Sequence, residues 1–282
     1  MALVALSLGC AASAGSGPGR GTPEATEPGR TPSGETVRGS ISYRAVPLMR
    51  FQLDNRDSLY MEMPDGSFQN TVTVKTAFLT FSLQPAGVGF TALVVLDSLK
   101  LDRPDPLLQP LADSATGVRW TGTMQPNGRF DSLVSSKPTV FGEQVRNMLH
   151  RLLPVLPPGG AEPGKTWIDS ATRAFPIMPG FEATEKNVAE FRSGKAGDFK
   201  GTRSLVIESS ITYQVAGSGT GFGQTITVEG TGRASGVHRM STDGRLLHAQ
   251  VADTARMTLT VPAVGQSVPT VLVGNYSISV LP

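Results

Sequence analysis

The sequence is poor in several residues that mark familiar functional sites. It contains one cysteine and three histidines, and aromatic residues make up only 6% of the chain. One cysteine excludes an internal disulfide framework, and scattered histidines do not supply the three or four ligands of a zinc site. Charged residues make up 17%, below the roughly 25% typical of soluble proteins. The net charge of +2 comes without a dense Lys/Arg cluster, so nucleic acid is not an expected partner.

Catalytic and nucleotide-binding motifs are also missing or misplaced. There is no Gly-x-Ser-x-Gly elbow and no His-Glu-x-x-His pair. Residues 159–166, GGAEPGKT, match the letters of a phosphate-binding loop, but they follow prolines rather than a strand and precede no helix. A two-residue turn at Asp243-Gly244 pairs His238 with Ala249 and so points His238 and His248 to opposite sides of a sheet. We therefore expect no enzyme activity, no metal and no cofactor.

The N-terminus is typical of an export signal. Residues 1–9 form a short apolar run that ends at Cys10, and the run is too short to cross a bilayer as a helix. Leu8-Gly9-Cys10 resembles the end of a bacterial lipoprotein signal, with Ser7 where such signals usually carry Leu. The resemblance implies lipidation of Cys10 and attachment to a membrane of the bacterial envelope. Two alternatives are cleavage after Ala12-Ser13-Ala14, which would give a secreted protein, and a cytoplasmic protein with an apolar start.

Composition divides the chain into three parts. Residues 1–14 form the signal remnant, and residues 15–38 are rich in Gly, Ser and Pro and nearly free of large apolar side chains. Such a segment buries too little surface to offset its ordering entropy, so we expect a disordered tether. Residues 39–282 are long enough for one large β domain or two small β-rich halves.

One amphipathic helix stands at the centre of this domain, over about residues 139–153. Its apolar side chains recur at i, i+4, i+7, i+8, i+11 and i+12, which is one face of a helix. They are Phe141, Val145, Met148, Leu149, Leu152 and Leu153. A Pro-rich joint over residues 154–166 then stops the helix. Such a helix must pack on a sheet, either as a movable lid over a cavity or as a fixed packing element.

The remaining segments alternate apolar and polar residues as β-strands do. Between them, Asp65-Gly66, Asn127-Gly128 and Asp243-Gly244 are strong signals for tight turns. The polar face is rich in Thr and Ser, which favours a mainly β fold: a large curved antiparallel sheet, or half barrel, with one apolar concave side and the helix packed on it.

The overall plan resembles uncharacterised bacterial envelope lipoproteins, which share the apolar start, tether, β-rich halves and a helix running into a Leu-Pro…Pro-Gly-x-x-Trp joint, here residues 152–167. Its architecture is also similar to that of the LolA/LppX half-barrel lipid carriers. That resemblance implies a lipid or acyl chain held inside the sheet. The expected ligand-binding residues are Phe141, Met148, Leu149, Leu152, Leu205, Ile207, Ile211, Tyr213, Ile226 and Val228. The alternative is a structural or protein-interaction component of the envelope with a filled core and no ligand.

Overall fold

The structure is a computed structural model that describes residues 39–178, 180–221 and 224–282. The predictions for the signal, for Cys10 and for the tether over residues 15–38 therefore lie outside the described residues. The described part is mainly β, as predicted, with eleven strands and two α-helices. The elements are β1 Val46–Glu62, β2 Phe68–Ala86, β3 Gly89–Leu101, α1 Gln109–Ala115, β4 Arg119–Met124, β5 Phe130–Ser135, α2 Val140–Leu152, β6 Thr166–Met178, β7 Phe181–Phe199, β8 Thr202–Gly221, β9 Gln224–Ser241, β10 Leu246–Val261 and β11 Gln266–Val280.

All the strands belong to one antiparallel sheet that curls into a half barrel. The order is β5-β4-β3-β2-β1-β11-β10-β9-β8-β7-β6, so the first and last strands pair and join the two β-rich halves into a single sheet. Leu53 of β1 lies opposite Ile278 of β11 in that pairing. Within the described ranges, β5 and β6 each pair with one neighbour only. We call the gap between these two edge strands the seam; α2 connects them in the sequence.

The predicted turns and the predicted helix are confirmed. Asp65-Gly66, Asn127-Gly128 and Asp243-Gly244 each lie between two paired strands, and their glycines have φ of 79°, 91° and 86°. These left-handed angles favour glycine because it has no Cβ to clash. The register of β9 on β10 is also as predicted, with His238 opposite Ala249 and Arg239 opposite His248.

The core lies on the concave face and around α2. Strand positions two residues apart point to the same face, so β8 places Leu205, Ile207, Ile211, Tyr213 and Val215 inside. The same alternation keeps Thr212 and Gln214 outside. One contiguous cluster of buried apolar side chains joins this face to α2, because the curled sheet wraps the helix rather than leaving it on the surface.

Candidate ligand site

Helix α2 fills the half barrel. Thr139 caps its N-terminus by accepting a hydrogen bond from the Gly142 amide at 3.2 Å. At the other end His238 donates from Nδ1 to the Leu152 carbonyl at 3.0 Å, while its Nε2 accepts from the Ser209 hydroxyl at 3.0 Å. Every residue of α2, all of which the structure describes, is buried or half-buried. The polar side of the helix therefore faces protein as well.

The ten residues expected to bind a ligand all lie in this core or against it. Eight are buried, and Met148 and Ile226 are partly buried and pack on the same cluster. Small voids lie among them, of about 10 Å³ beside Phe141 and Met148 and about 20 Å³ beside Leu149. In this state their side chains pack against one another, and their role in ligand binding remains a prediction.

A larger cavity of about 150 Å³ opens at the C-terminal end of α2, next to the seam. Its apolar lining includes Phe130, Leu153, Val155, Phe191 and Ile211. Its polar and charged lining includes Arg129, His150, Arg151, Asp169, Arg173, Glu185 and Asn187. Of the ten expected residues, only Ile211 lines this cavity directly.

A buried ion-pair network holds α2 beside the cavity. Arg151 of α2 contacts Glu185 of β7 at 2.7 Å and Asp253 of β10 at 3.1 Å. Arg173 of the edge strand β6 contacts the other oxygen of Glu185 at 3.1 Å. Tyr213 donates its hydroxyl hydrogen to Asp253 at 2.7 Å, and the Arg151 guanidinium lies 4.1 Å from the centre of its ring. One side chain of the helix is thus bound to three strands of the sheet.

Two further features belong to the site: a close approach of the Tyr213 ring to Gly232, and an ion pair that crosses the seam. A Cβ on Gly232 would lie 2.1 Å from the Tyr213 ring, so only glycine lets that ring cross β9 towards Asp253. Across the seam, Arg129 of the β4–β5 turn forms an ion pair with Asp169 of β6. This contact bridges the two edges of the half barrel at the mouth of the cavity.

Burial shifts the pKa of several groups in the site. It tends to raise the pKa of Glu185, but Arg151 and Arg173 outweigh it and hold that pKa below its ordinary value. Burial raises the pKa of Asp253. Burial lowers the pKa of His150 to about 3, helped by the charges of Arg173 and Arg146. Burial also lowers the pKa of His238 to about 4.

These two histidines make the fold sensitive to acid. Their folded pKa values lie below the ordinary value of 6.5, so between pH 6.5 and 4 the unfolded chain binds more protons than the folded one. Stability is therefore complete above pH 6.5 and falls as the pH drops towards 4. We expect urea denaturation to give a lower free energy of unfolding at pH 5 than at pH 7, with a smaller drop in the H150Q/H238Q variant. An equal drop in both proteins would contradict the assignment.

The sequence carries a signal for the buried network. In β7 the inward positions are Phe181, Ala183, Glu185, Asn187 and Ala189. A carboxylate at an apolar position of an alternating strand indicates a buried charge with a partner. Asp253 breaks the series Val251, Ala255, Met257 of β10 in the same way. The unusual positions of Glu185 and Asp253 can be recognised in the sequence, but only the structure shows that Arg151 is their common partner.

Comparison with known proteins leaves the site unassigned. No protein-family model matches the chain, and no curated protein matches it. In the described ranges no helix is long and apolar enough to cross a membrane. The same residues contain no group of three or more His, Cys, Asp or Glu side chains that could hold a metal ion.

Proposed function

We propose that the protein binds an apolar ligand, such as a lipid or acyl chain, inside the half barrel, with entry through the seam. The observation that carries this proposal is the cavity at the seam. It is lined by apolar side chains together with a few polar and charged ones, and it lies between α2 and the edge strand β6. Ligand sites in proteins have this composition: mostly apolar walls with a few placed polar groups.

The closed geometry makes movement part of the proposal. The cavity of about 150 Å³ is smaller than the roughly 300–1,000 Å³ of typical ligand pockets. An acyl chain therefore needs further space, which separation of α2 and β6 would supply. Met148, Leu149, Leu152, Leu205, Ile207, Tyr213, Ile226 and Val228 would then line the enlarged cavity, together with Phe141 and Ile211.

The way α2 is held supports such movement. A buried ion pair contributes less net stability than well-packed apolar side chains of the same volume, and its best-attested use is to fix register or act as a switch. Arg151 forms buried ion pairs of this kind with Glu185 and Asp253. Arg129 and Asp169 close the mouth from less buried positions, with 34% and 20% of their side chains accessible, so separating them costs less than separating the buried pairs of Arg151.

Attachment to the bacterial envelope through lipidated Cys10 is the second half of the proposal. It is supported by the apolar run, by the small residue Gly9 before the cysteine and by the Gly/Ser/Pro-rich residues 15–38. A lipid anchor and a tether would hold the half barrel close to a supply of acyl chains. Secretion after cleavage at Ala14 would leave the binding proposal unchanged.

A ligand-free interaction protein is the second candidate function. It is favoured by exposed apolar side chains at one end of the sheet, where the β1–β2 and β10–β11 turns lie. Phe68, Val264 and Tyr60 are 78%, 47% and 44% exposed there. Apolar groups clustered on a surface mark contact sites for partners.

Lipid uptake tests the proposal. We expect native mass spectrometry of the protein purified from its own envelope to show a bound lipid that denaturation releases. The A171F variant should lose about tenfold or more of the bound lipid, because Ala171 lines the cavity and the larger ring fills it. The A174F variant is the matched control, since Ala174 belongs to the same strand β6, is exposed on its outer face and does not line the cavity.

Two outcomes would contradict the proposal. One is lipid-free protein that also takes up no lipid from a total envelope extract, which would favour the interaction protein. The other is equal lipid occupancy in A171F and A174F with both variants folded by circular dichroism, which would place any bound lipid outside the seam cavity.

A further inference from the structure

The polar lining of the cavity is rich in charge, yet its charges are balanced. Two of its arginines, Arg151 and Arg173, share Glu185, and Arg151 also contacts Asp253. The third, Arg129, is paired with Asp169. Three guanidinium groups thus meet three carboxylates, and the net charge of this cluster is zero.

The other charged or titratable groups near the cavity are also paired or neutral. Beneath α2, Lys75 contacts Asp57 at 3.1 Å, and on α2 Arg146 contacts Glu143 at 3.0 Å. His150 lies at the cavity against the Phe130 ring, with 5.5 Å between ring centres, and it is neutral at pH 7 because its pKa is about 3. No unbalanced charge therefore faces the cavity from the described residues around it.

This balance decides which head group the cavity can accept. A net charge in a buried site is costly unless an opposite charge pairs with it. Here the opposite charges are already engaged, so a carboxylate or an ammonium group would have to displace a partner. A neutral polar group meets no such obstacle, because guanidinium and amide N–H groups and carboxylate oxygens can hydrogen-bond to a hydroxyl or an ester without a change in charge.

We infer that the ligand is an amphiphile with an uncharged, hydrogen-bonding head group, such as an acylglycerol, whose head lies among Arg151, Arg173 and Asn187. The inference rests on the proposed function, since it concerns the same cavity. Glu185 and Asp169 serve as internal counterions and so act as specificity determinants. They exclude free fatty acids although three arginines line the site.

Ligands that carry the same hydrocarbon chain and differ only in the head group test this inference. The probes are 1-hexadecanoylglycerol, hexadecanol, hexadecanoic acid and hexadecylamine, each below its aggregation limit at pH 8 and measured by displacement of a neutral fluorescent acyl probe. We expect the two neutral compounds to bind about tenfold or more tighter than the acid and the amine. Binding of the acid as tight as that of the alcohol would overturn the inference while leaving the proposed function standing. Failure of all four compounds, and of the probe itself, would instead count against the proposed function.

A single charge change gives a sharper test. The D169N variant leaves Arg129 without its carboxylate at the cavity mouth, so we expect hexadecanoic acid to gain about tenfold relative to hexadecanol. The matched control is D131N, which makes the same change in charge at an exposed position of the β4–β5 hairpin that does not line the cavity. Equal ratios of acid to alcohol in the two variants would overturn the role assigned to charge balance.

Discussion

Replacing Arg151 with methionine is expected to lower the free energy of unfolding by about 3–5 kcal/mol, the usual cost of removing one partner of a buried ion pair. The variant keeps the length and much of the apolar stem of the side chain. It leaves Asp253 without its cation and Glu185 with Arg173 alone. It also removes the guanidinium from the Tyr213 ring. The measurement is urea denaturation at pH 7.

The matched control is the R245M variant. Arg245 pairs with Asp243 at 2.8 Å, but the two side chains are 44% and 52% exposed. Exposed pairs contribute about 0–1 kcal/mol, so this variant should remain close to the parent. If R151M were no less stable than R245M, the network would not hold α2, and the opening motion proposed here would lose its basis.

Linking the two edges of the seam is expected to stop ligand uptake. The chain contains one natural cysteine, so R129C and D169C can be joined specifically in a C10S background. A reducible bis-maleimide would replace the natural ion pair between these positions by a covalent bridge. We expect uptake of a fluorescent acyl probe to slow by about tenfold or more, because the mouth of the cavity can no longer widen.

Reduction of the linker supplies the internal control for this experiment. The same sample should regain uptake once the bridge is cleaved, and the unlinked double variant should take up the probe at least as fast as the parent. Uptake at the parental rate with the bridge intact would show that acyl chains enter by another route.

Local features of the fold could be predicted from the sequence. The helix expected over residues 139–153 is observed at Val140–Leu152, because its period and its prolines are local signals. The three Asx-Gly turns and the pairing of His238 with Ala249 are correct for the same reason. The mainly β class and the curved sheet follow from strand alternation, which needs no long-range information.

Long-range features could not be predicted in this way. Pairing of β1 with β11 brings together strands more than 200 residues apart, and it creates both the single sheet and the seam. Enclosure of α2 follows from the curl of that sheet. Glu143 and Arg151 belong to the polar side of the helix, yet they are largely buried, because α1, β6 and β10 pack around α2 and cover what the helical period alone marks as a solvent face.

The candidate site combines residues that local sequence signals identify with a cavity that only the long-range fold creates. The apolar stripe of α2 and the inward residues of β8 can be read from periodicity, and they form the core that the sequence indicates. The cavity next to them is lined by side chains from α2, its Pro-rich joint, the β4–β5 turn and strands β6 to β8. No spacing rule connects such distant segments, so the cavity and its balanced charges emerge only from the assembled fold.

The central claim is that an acyl chain binds at the seam of the half barrel. The position of a bound acyl chain relative to the two tryptophans tests this claim most directly. Trp167 stacks on Phe191, a wall of the cavity, with 5.4 Å between ring centres. Trp120 is fully buried beside Gly142 at the other end of α2. A brominated acyl chain quenches tryptophan on contact, so W120F and W167F report the two locations separately. We predict strong, saturable quenching of Trp167 in W120F and weak quenching of Trp120 in W167F. Saturable binding that leaves Trp167 unquenched would contradict a chain held at the seam of the half barrel.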